Sequence, residues 1–167
     1  DSFSTDGTVE IVRELGADLF QQTFVNHAAQ FQWGIDQAAI TDGWVLRIDA
    51  DEYFEPAALE EIAERLATLP AEVGAVDFRR KLYFQGKWIR WGGYYKNVLT
   101  RLWRAGAARI EQRWMDEHVV VEQGETSWWT CDGTIMGMYG LSGPYRTGFS
   151  AISRLGIEDD GLRASNP

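Results

Sequence analysis

The stretch that most constrains this chain is GWVLRIDADEYFEP, residues 43–56, in which a strand runs directly into carboxylates. Residues 44–48 are apolar apart from one arginine, which predicts a strand buried on both faces, as in the middle of a parallel sheet. Asp49, Asp51 and Glu52 follow at once. Carboxylates this close repel one another, so the fold must compensate their charge. A bound cation, a cluster of backbone N–H donors and exposure to water are the usual compensations.

The spacing of Asp49 and Asp51 suits a divalent cation. Ligands bind at the carboxyl ends of strands in open α/β sheets, and both residues are predicted to lie there. Mg²⁺ and Mn²⁺ prefer oxygen ligands, often one or two carboxylates completed by substrate phosphates. In extended backbone, residues i and i+2 point the same way. The alternative is an acidic loop, with Asp51 or Glu52 near the N-terminus of a helix that Pro56 begins.

Residues 1–70 alternate between helical and strand patterns, which indicates a parallel α/β sheet. A first helix follows Asp6 or Gly7 and ends at Gly16, and residues 17–22 predict a short strand. Asn26 is expected to cap a second helix that runs through Ile40. The third helix begins at Pro56 and is ended by Pro70, and its predicted inward face consists of Leu59, Ile62, Ala63 and Leu66.

The second half of the chain is rich in strand patterns. Residues 73–93 alternate like a strand pair around a turn at residues 85–86, and residues 97–104 and 118–124 predict further strands. Residues 131–167 are Gly-rich and aperiodic, with a short helix expected near residues 151–155. The fold class predicted is therefore α/β, with a mixed sheet and a strand-rich second half.

Charge and composition exclude some functions. A net charge of −9 and a pI near 4.7 argue against a nucleic-acid or anionic-membrane partner. The single Cys131 excludes an intramolecular disulfide and fits a reducing compartment. No apolar run reaches membrane-spanning length and no signal peptide opens the chain, so we expect a cytoplasmic location.

Tryptophan is unusually frequent, with eight residues in the chain. Aromatic side chains in such number either fill a core or line a surface for flat, partly apolar ligands such as sugar rings. Core packing is the more common role. Six of the eight lie in the second half, at positions 88, 91, 103, 114, 128 and 129.

Three blocks of sequence resemble inverting family-2 glycosyltransferases. DSFSTDGTVEIV, residues 1–12, resembles the family's nucleotide-binding turn, Asp-x-x-Ser-x-Asp-Gly-Thr. GWVLRIDADEYFEP resembles its Asp-x-Asp segment, in the variety found in bacterial envelope-polysaccharide enzymes. NVLTRLWRAGAARIEQRWMDEHVVVEQG, residues 97–124, is similar to the later block, where an Arg-Leu-aromatic strand leads to an acidic pair or His-Glu. The blocks occur in the family's order.

The resemblance implies a GT-A fold, a nucleotide-diphosphate sugar donor and a saccharide or lipid-linked acceptor. It implies that Asp1 contacts the nucleotide base or ribose, and that Ser4 and Asp6 shape that pocket. Asp49 would lie near the donor ribose and sugar, and also near the metal. Asp51 would be the principal ligand of Mg²⁺ or Mn²⁺, which would bridge it to the diphosphate.

The same resemblance implies a general base among residues 116–118. Glu117 best matches the family's base and Asp116 is the second choice; the alternative for this acidic pair is a solvated start of a strand. His118 is a candidate metal or phosphate ligand, although orienting a carboxylate or simple exposure is the more common role. Arg101 suits either the diphosphate or a structural salt bridge. His27 is expected to pack at the start of a helix.

The resemblance also has departures. Family members begin with a further strand and helix, so the chain is expected to be a fragment of one domain over residues 1–167. Within it, residues 1–70 would be the nucleotide-binding part, 71–130 the strand-rich acceptor part and 131–167 an irregular tail. An inactive fragment or a carbohydrate-binding remnant is the alternative function. A nucleotidyltransferase would require a Gly-rich basic loop at its start, which is not present. The inner face of the membrane is a second expected location.

Overall fold

The computed structural model describes residues 1–49, 52–54, 56–84, 87–92, 98–129, 135–138 and 150–155, and from residue 128 onward it describes the main chain alone. The elements within these residues are α1 (Thr8–Glu14), α2 (His27–Ala38), β1 (Trp44–Asp49), β2 (Glu52–Tyr53), α3 (Pro56–Leu66), β3 (Val73–Phe84), β4 (Lys87–Trp88), β5 (Val98–Arg104), β6 (Ala108–Ile110), β7 (Val119–Val121), β8 (Glu125–Trp129), β9 (Ile135–Met138) and β10 (Ser150–Leu155).

Both N-terminal helices form where capping residues predict them. Asn26 is extended, and its Oδ1 accepts a hydrogen bond from the main-chain nitrogen of Ala29 at 2.8 Å. This bond satisfies a donor that the first turn of α2 leaves unpaired. The helix ends at Ala38, two residues before the predicted end, because Ala39 adopts a left-handed conformation with φ 48°. α1 ends just before Gly16, whose φ of 68° suits glycine.

Residues 17–22 do not form the predicted strand. Their main chain pairs with Asp1: the Asp1 nitrogen donates to the Phe20 carbonyl oxygen at 2.8 Å, and the Gln22 nitrogen donates to the Asp1 carbonyl oxygen at 3.1 Å. Contact with one residue supplies too few ladder bonds to make a strand. The segment is nevertheless fixed against the start of the chain.

β3 organises a mixed sheet of eight strands in the described part of the chain. It pairs antiparallel with β5 and β4, and parallel with β8 along its first half and with β9 along its second. The strand order is β10-β1-β5-β3-β9-β2, with β4 and β8 also on β3, while β6 and β7 form a separate two-stranded sheet. The predicted α/β class with a mixed sheet flanked by helices is confirmed.

β1 is buried as predicted, but its described neighbours are not parallel. It pairs antiparallel with β5 and with β10, so the parallel sheet expected for residues 1–70 is wrong at this strand. The partners come from the second half of the chain, whose pairing the local pattern of the first half does not reveal. Burial on both faces shows that a strand is central and leaves the direction of its neighbours open.

Two cores cover the two faces of β1. Trp44 and Leu46 pack with α3 and with Val76, Phe78 and Leu102 on one face. Val45 packs with Ala28 and Phe31 of α2, and with Ala75, Trp103 and Ile110, on the other. Alternate residues of a strand point to opposite faces, so Arg47 and Asp49 follow Val45 onto the α2 face.

β5 shows the same alternation. Leu102 belongs to the α3 core and Trp103 to the α2 core. Arg101 is therefore on the α2 face as well. Val45 is the register partner of Trp103. Because the strands are antiparallel, Arg47 and Arg101 lie beside each other two residues away from this pair on their own strands.

Two further predictions, a strand pair around residues 85–86 and a helix near residues 151–155, can be compared with the structure. The strand pair around residues 85–86 is confirmed by the pairing of Tyr83 with Trp88, while the turn itself lies outside the described residues. The helix expected near residues 151–155 is wrong: this segment is β10, which pairs with β1 over six positions. Pairing over six positions supplies hydrogen-bond partners for main-chain N–H and C=O groups, most of which a single helical turn would leave unpaired.

The tryptophans divide between core and surface. Trp44 and Trp103 are 2% and 1% exposed, whereas Trp91 and Trp114 are 85% and 72% exposed. Core packing therefore accounts for only part of the tryptophan content. Within the described residues, no helix has the length and apolar character needed to cross a membrane.

α3 provides a direct test of the core assignment. Ile62 is 1% exposed, but Leu59, predicted to face inward, is 41% exposed, and Ala58 is buried in its stead. We expect Ile62→Ala to lower the free energy of unfolding by about 2–5 kcal/mol, because it leaves a cavity. Leu59→Ala is the matched control and should cost less than about 1 kcal/mol. Urea denaturation measures both, and equal losses would contradict this placement of the helix.

Candidate active site

Arginine side chains compensate the carboxylates at the end of β1. Arg47 Nε donates to Asp49 Oδ1 at 3.1 Å, and Arg101 Nη2 donates to Asp49 Oδ2 at 2.8 Å. Both arginine side chains are less than 10% exposed. The expected sources of compensation were a cation, backbone donors or water. In the described residues, guanidinium groups compensate most of the negative charge instead.

Glu52 is the most deeply buried acid of the site. Its side chain is 0% exposed, and its Oε1 accepts from Arg101 Nη2 at 2.5 Å and from Arg80 Nη1 at 3.2 Å. Its Oε2 accepts from the main-chain nitrogen of Asp49 at 3.2 Å. This last bond fixes the two ends of the short segment that contains Asp51. A buried carboxylate with three charged or polar donors is satisfied rather than strained.

Glu117 joins the same network from a distant part of the sequence. Arg47 Nη2 donates to Glu117 Oε1 at 2.9 Å, and the Glu117 side chain is 11% exposed. Arg47 also lies over the ring of Phe31, 4.7 Å from its centroid. One guanidinium thus connects the end of β1 with the loop that leads to β7.

The surroundings of Asp49 set its protonation. Burial raises the pKa of this carboxyl, but the positive charges of Arg101 and Arg47 and their hydrogen bonds outweigh burial and leave the pKa below its ordinary value. Asp49 is therefore a carboxylate at neutral pH. Its charge is largely balanced within the protein.

Residues 111–118 form a loop between β6 and β7 that is closed at its base. The Glu111 main-chain nitrogen donates to the His118 carbonyl oxygen at 2.8 Å, and His118 Nδ1 lies 3.1 Å from Glu111 Oε2. The hydrogen bond with His118 and the charge of Arg113 lower the pKa of Glu111. Trp114 and Met115 are 72% and 70% exposed. The loop thus presents an apolar surface next to the acidic pair.

The predicted nucleotide residues lie at the start of the chain. Asp1 Oδ1 accepts from Ser4 Oγ at 2.5 Å, and Asp1 Oδ2 accepts from Gln21 Nε2 at 2.7 Å. Asp6 Oδ1 accepts from the main-chain nitrogen of Thr8 at 3.0 Å and helps to begin α1. These contacts hold the turn in one shape. A base or ribose bound by Asp1 would share its carboxylate with Ser4 and Gln21.

The structure brings together some of the predicted site residues. Asp49 and Glu117 share Arg47, whereas Asp116 is exposed with φ 59° and His118 contacts Glu111 at the surface. Asp51 lies outside the described residues. Of the two roles weighed for Arg101, the salt bridge is the one observed.

Sequence reasoning missed Arg47, Arg80 and the role of Glu52. The signal for Arg47 was present, because Arg-x-Asp in a strand places both side chains on one face. Arg80 could not be found in this way, since it reaches Glu52 from β3. Only the tertiary fold places these two residues together.

The described residues do not form a metal site by themselves. Among them, no group of three or more His, Cys, Asp or Glu side chains is arranged to hold a cation. Both oxygens of Asp49 accept from guanidinium groups, and a cation would be repelled by those charges. A metal at Asp49 would have to compete with the two arginines, and a metal at His118 would have to compete with the contact to Glu111.

The fold and the charged cluster together define a class of protein. Helices cover both faces of a mixed sheet, and a charged cluster lies where the buried strand β1 ends, which is the architecture of an α/β protein. The family model for Glycosyl transferase family 2 matches residues 1–128, well over half of the chain. The chain belongs to this family, and its mixed α/β fold is consistent with the GT-A fold. The family uses a nucleotide-sugar donor and an acceptor.

The lowered pKa of Asp49 gives a pH-dependent prediction. A carboxyl whose folded pKa is depressed contributes stability above its ordinary pKa of 3.8, and that contribution is lost as pH falls through the folded pKa. Asp49→Asn should therefore lower the free energy of unfolding by about 2 kcal/mol at pH 7, since charged hydrogen bonds are lost. The difference from the wild type should shrink below about pH 4.

Urea denaturation at pH 7, 5, 4 and 3 measures this difference. Asp36→Asn, at an exposed position on α2, is the control and should stay within about 0.5 kcal/mol of the wild type at pH 7. A difference for Asp49→Asn that is the same at pH 7 and pH 3 would contradict the ion-pair assignment.

Proposed function

We propose that this domain transfers a sugar from a nucleotide-diphosphate donor to a hydroxyl group of a saccharide or lipid-linked acceptor, with inversion at the anomeric carbon. The observation that carries the proposal is the connection of Asp49 to Glu117 through Arg47, at 3.1 Å and 2.9 Å. In this proposal the carboxylate near the donor and the general base share one guanidinium group. Membership of the family supplies the general activity.

Glu117 is the proposed general base. Its Oε1 accepts from Arg47, which leaves Oε2 to accept the proton of the acceptor hydroxyl. The acceptor oxygen forms a bond to the anomeric carbon while the bond from that carbon to the diphosphate oxygen breaks. The diphosphate leaves with the electron pair from the opposite side, which inverts the configuration. Asp116 remains the second choice, because it is adjacent but exposed.

The remaining predicted residues would act on the donor. Asp1, Ser4 and Asp6 would contact or shape the nucleotide pocket, and Asp49 would lie near the ribose and sugar. We propose Asp51 as the principal ligand of Mg²⁺ or Mn²⁺, which when bound would neutralise charge on the leaving diphosphate.

The exposed aromatic surface supports a saccharide as the acceptor. Trp114 is three residues before Glu117 and is 72% exposed. Aromatic rings pack against the flat apolar face of a sugar while leaving its hydroxyls free. We place the reaction in the cytoplasm, at the inner face of the membrane when the acceptor is lipid-linked, and in the synthesis of an envelope polysaccharide.

A carbohydrate-binding remnant without transfer is the second candidate. The exposure of Trp91 and Trp114 favours it, since both side chains are open to a glycan. A panel of UDP-glucose, UDP-galactose, UDP-N-acetylglucosamine and GDP-mannose separates the two functions. Release of the nucleoside diphosphate in the presence of oligosaccharides supports a transferase, and glycan binding without release supports the remnant.

The metal proposal predicts coupled binding. Mn²⁺ should bind more tightly when UDP or GDP is present, because phosphate oxygens complete a shell that protein carboxylates alone fill poorly. Asp51→Asn should remove most of this coupling, while Glu122→Gln, in an exposed ion pair with Arg109, should retain it. Titration calorimetry measures the affinities. Equal Mn²⁺ affinity with and without nucleotide would contradict the metal bridge.

The base assignment predicts a selective loss of turnover. Glu117→Gln in the full-length protein should lower kcat by about a hundredfold or more, the usual contribution of a general base, with donor binding nearly unchanged. Glu122→Gln is again the matched control and should transfer normally. The assay is nucleotide release with the donor that the panel identifies. Normal transfer by Glu117→Gln together with loss in Asp116→Asn would move the base to Asp116.

A further inference from the structure

Arg47 has contacts that exceed what a structural ion pair needs. Its Nε donates to Asp49 and its Nη2 to Glu117, and the guanidinium lies over Phe31 at 4.7 Å. Two separate nitrogen atoms therefore serve two carboxylates that are far apart in the sequence. The planar fork of the guanidinium fixes the angle between those two hydrogen bonds.

We propose that Arg47 is a positioning residue that sets the place of the Glu117 carboxylate relative to Asp49 and leaves Glu117 Oε2 directed at the acceptor. The inference rests on the proposed function, since it takes Glu117 as the base. Arg47 transfers no proton itself. Its effect is geometric, because an acceptor hydroxyl must meet the base and the donor sugar at the same time.

The loop that contains Glu117 shows why such a residue is needed. Between β6 and β7, residues 111–118 form no helix or strand. The side-chain contacts among Glu111, Arg113 and His118 involve groups that are 40–49% exposed. Surface contacts of this kind fix a side chain weakly. The bond from Arg47 joins the loop to the rigid sheet, with both side chains about nine-tenths buried.

A purely structural role is the competing interpretation. A buried arginine that loses a partner destabilises a fold whether or not the partner is catalytic. Arg104 on β5 provides the comparison. Its Nε donates to the Val73 carbonyl oxygen at 2.9 Å and its guanidinium lies 4.5 Å from the ring centroid of Trp44, with no described contact to the acidic cluster.

The test compares Arg47→Lys with Arg104→Lys in the full-length protein. Lysine keeps the charge but cannot serve both carboxylates with the geometry of the fork. With the donor from the panel, Arg47→Lys should lower kcat by about ten- to a hundredfold, the effect of a displaced catalytic group, while the KM for the donor stays within about twofold. Arg104→Lys should leave kcat within about twofold of the wild type.

The double variant separates positioning from stability. In the Glu117→Gln background, Arg47→Lys should cause no further loss of kcat, because residues that act as a unit are not additive. A further loss of the same size, or equal losses of kcat for Arg47→Lys and Arg104→Lys, would overturn the proposal.

Amide hydrogen exchange tests the positioning role of Arg47 even when no sugar is transferred from any donor in the panel. Arg47→Lys should speed exchange in residues 112–118 relative to the wild type and to Arg104→Lys, because the loop loses its interior contact. Faster exchange without any transfer by the wild type would support the positioning of Glu117 and reject the proposed function. Unchanged exchange would overturn the positioning itself.

Discussion

The attraction between two guanidinium groups and the carboxylates at the end of β1 is the interaction on which the rest of this structure depends. Asp49 is the last residue of a strand that is buried on both faces, and Glu52 follows shortly after it, where an unpaired charge would be costly. Arg47 and Arg101 reach them from adjacent strands on the α2 face. The carboxylates at the end of β1 are therefore paired, and the buried apolar residues of β1 can pack without an unpaired charge beside them.

Strand alternation explains how these groups meet. The packing of Val45 against α2 fixes the face of the sheet on which the side chains of Arg47 and Asp49 lie, two and four positions later. The antiparallel register between β1 and β5 brings Arg101 to the same place. The core and the charged cluster are thus two consequences of one pairing, so a shift of register by one residue would destroy both.

Local signals predicted much of the fold but little of its connectivity. Asn26 marked the start of α2, the apolar run after Gly43 marked a buried strand, and residues 85–86 marked a strand pair. Local patterns could not show that β10 pairs with β1, because that contact spans about a hundred residues. For the site, the spacing of the acidic residues after the buried strand suggested Asp49 and the resemblance to the family suggested Glu117, but their connection through Arg47 is a property of the tertiary fold.

The shared guanidinium groups have a consequence for how this site can change in evolution. Arg47, Arg80 and Arg101 face Asp49, Glu52 and Glu117, so three positive and three negative side chains interact in one region that is largely removed from water. Replacing one of them by a neutral residue upsets the balance of charge in a region that water reaches poorly. Natural variation should consequently occur in pairs, with position 47 changing together with position 117, and position 52 together with position 80 or 101. A lineage that alters the chemistry of this edge must pass through exchanges of whole ion pairs.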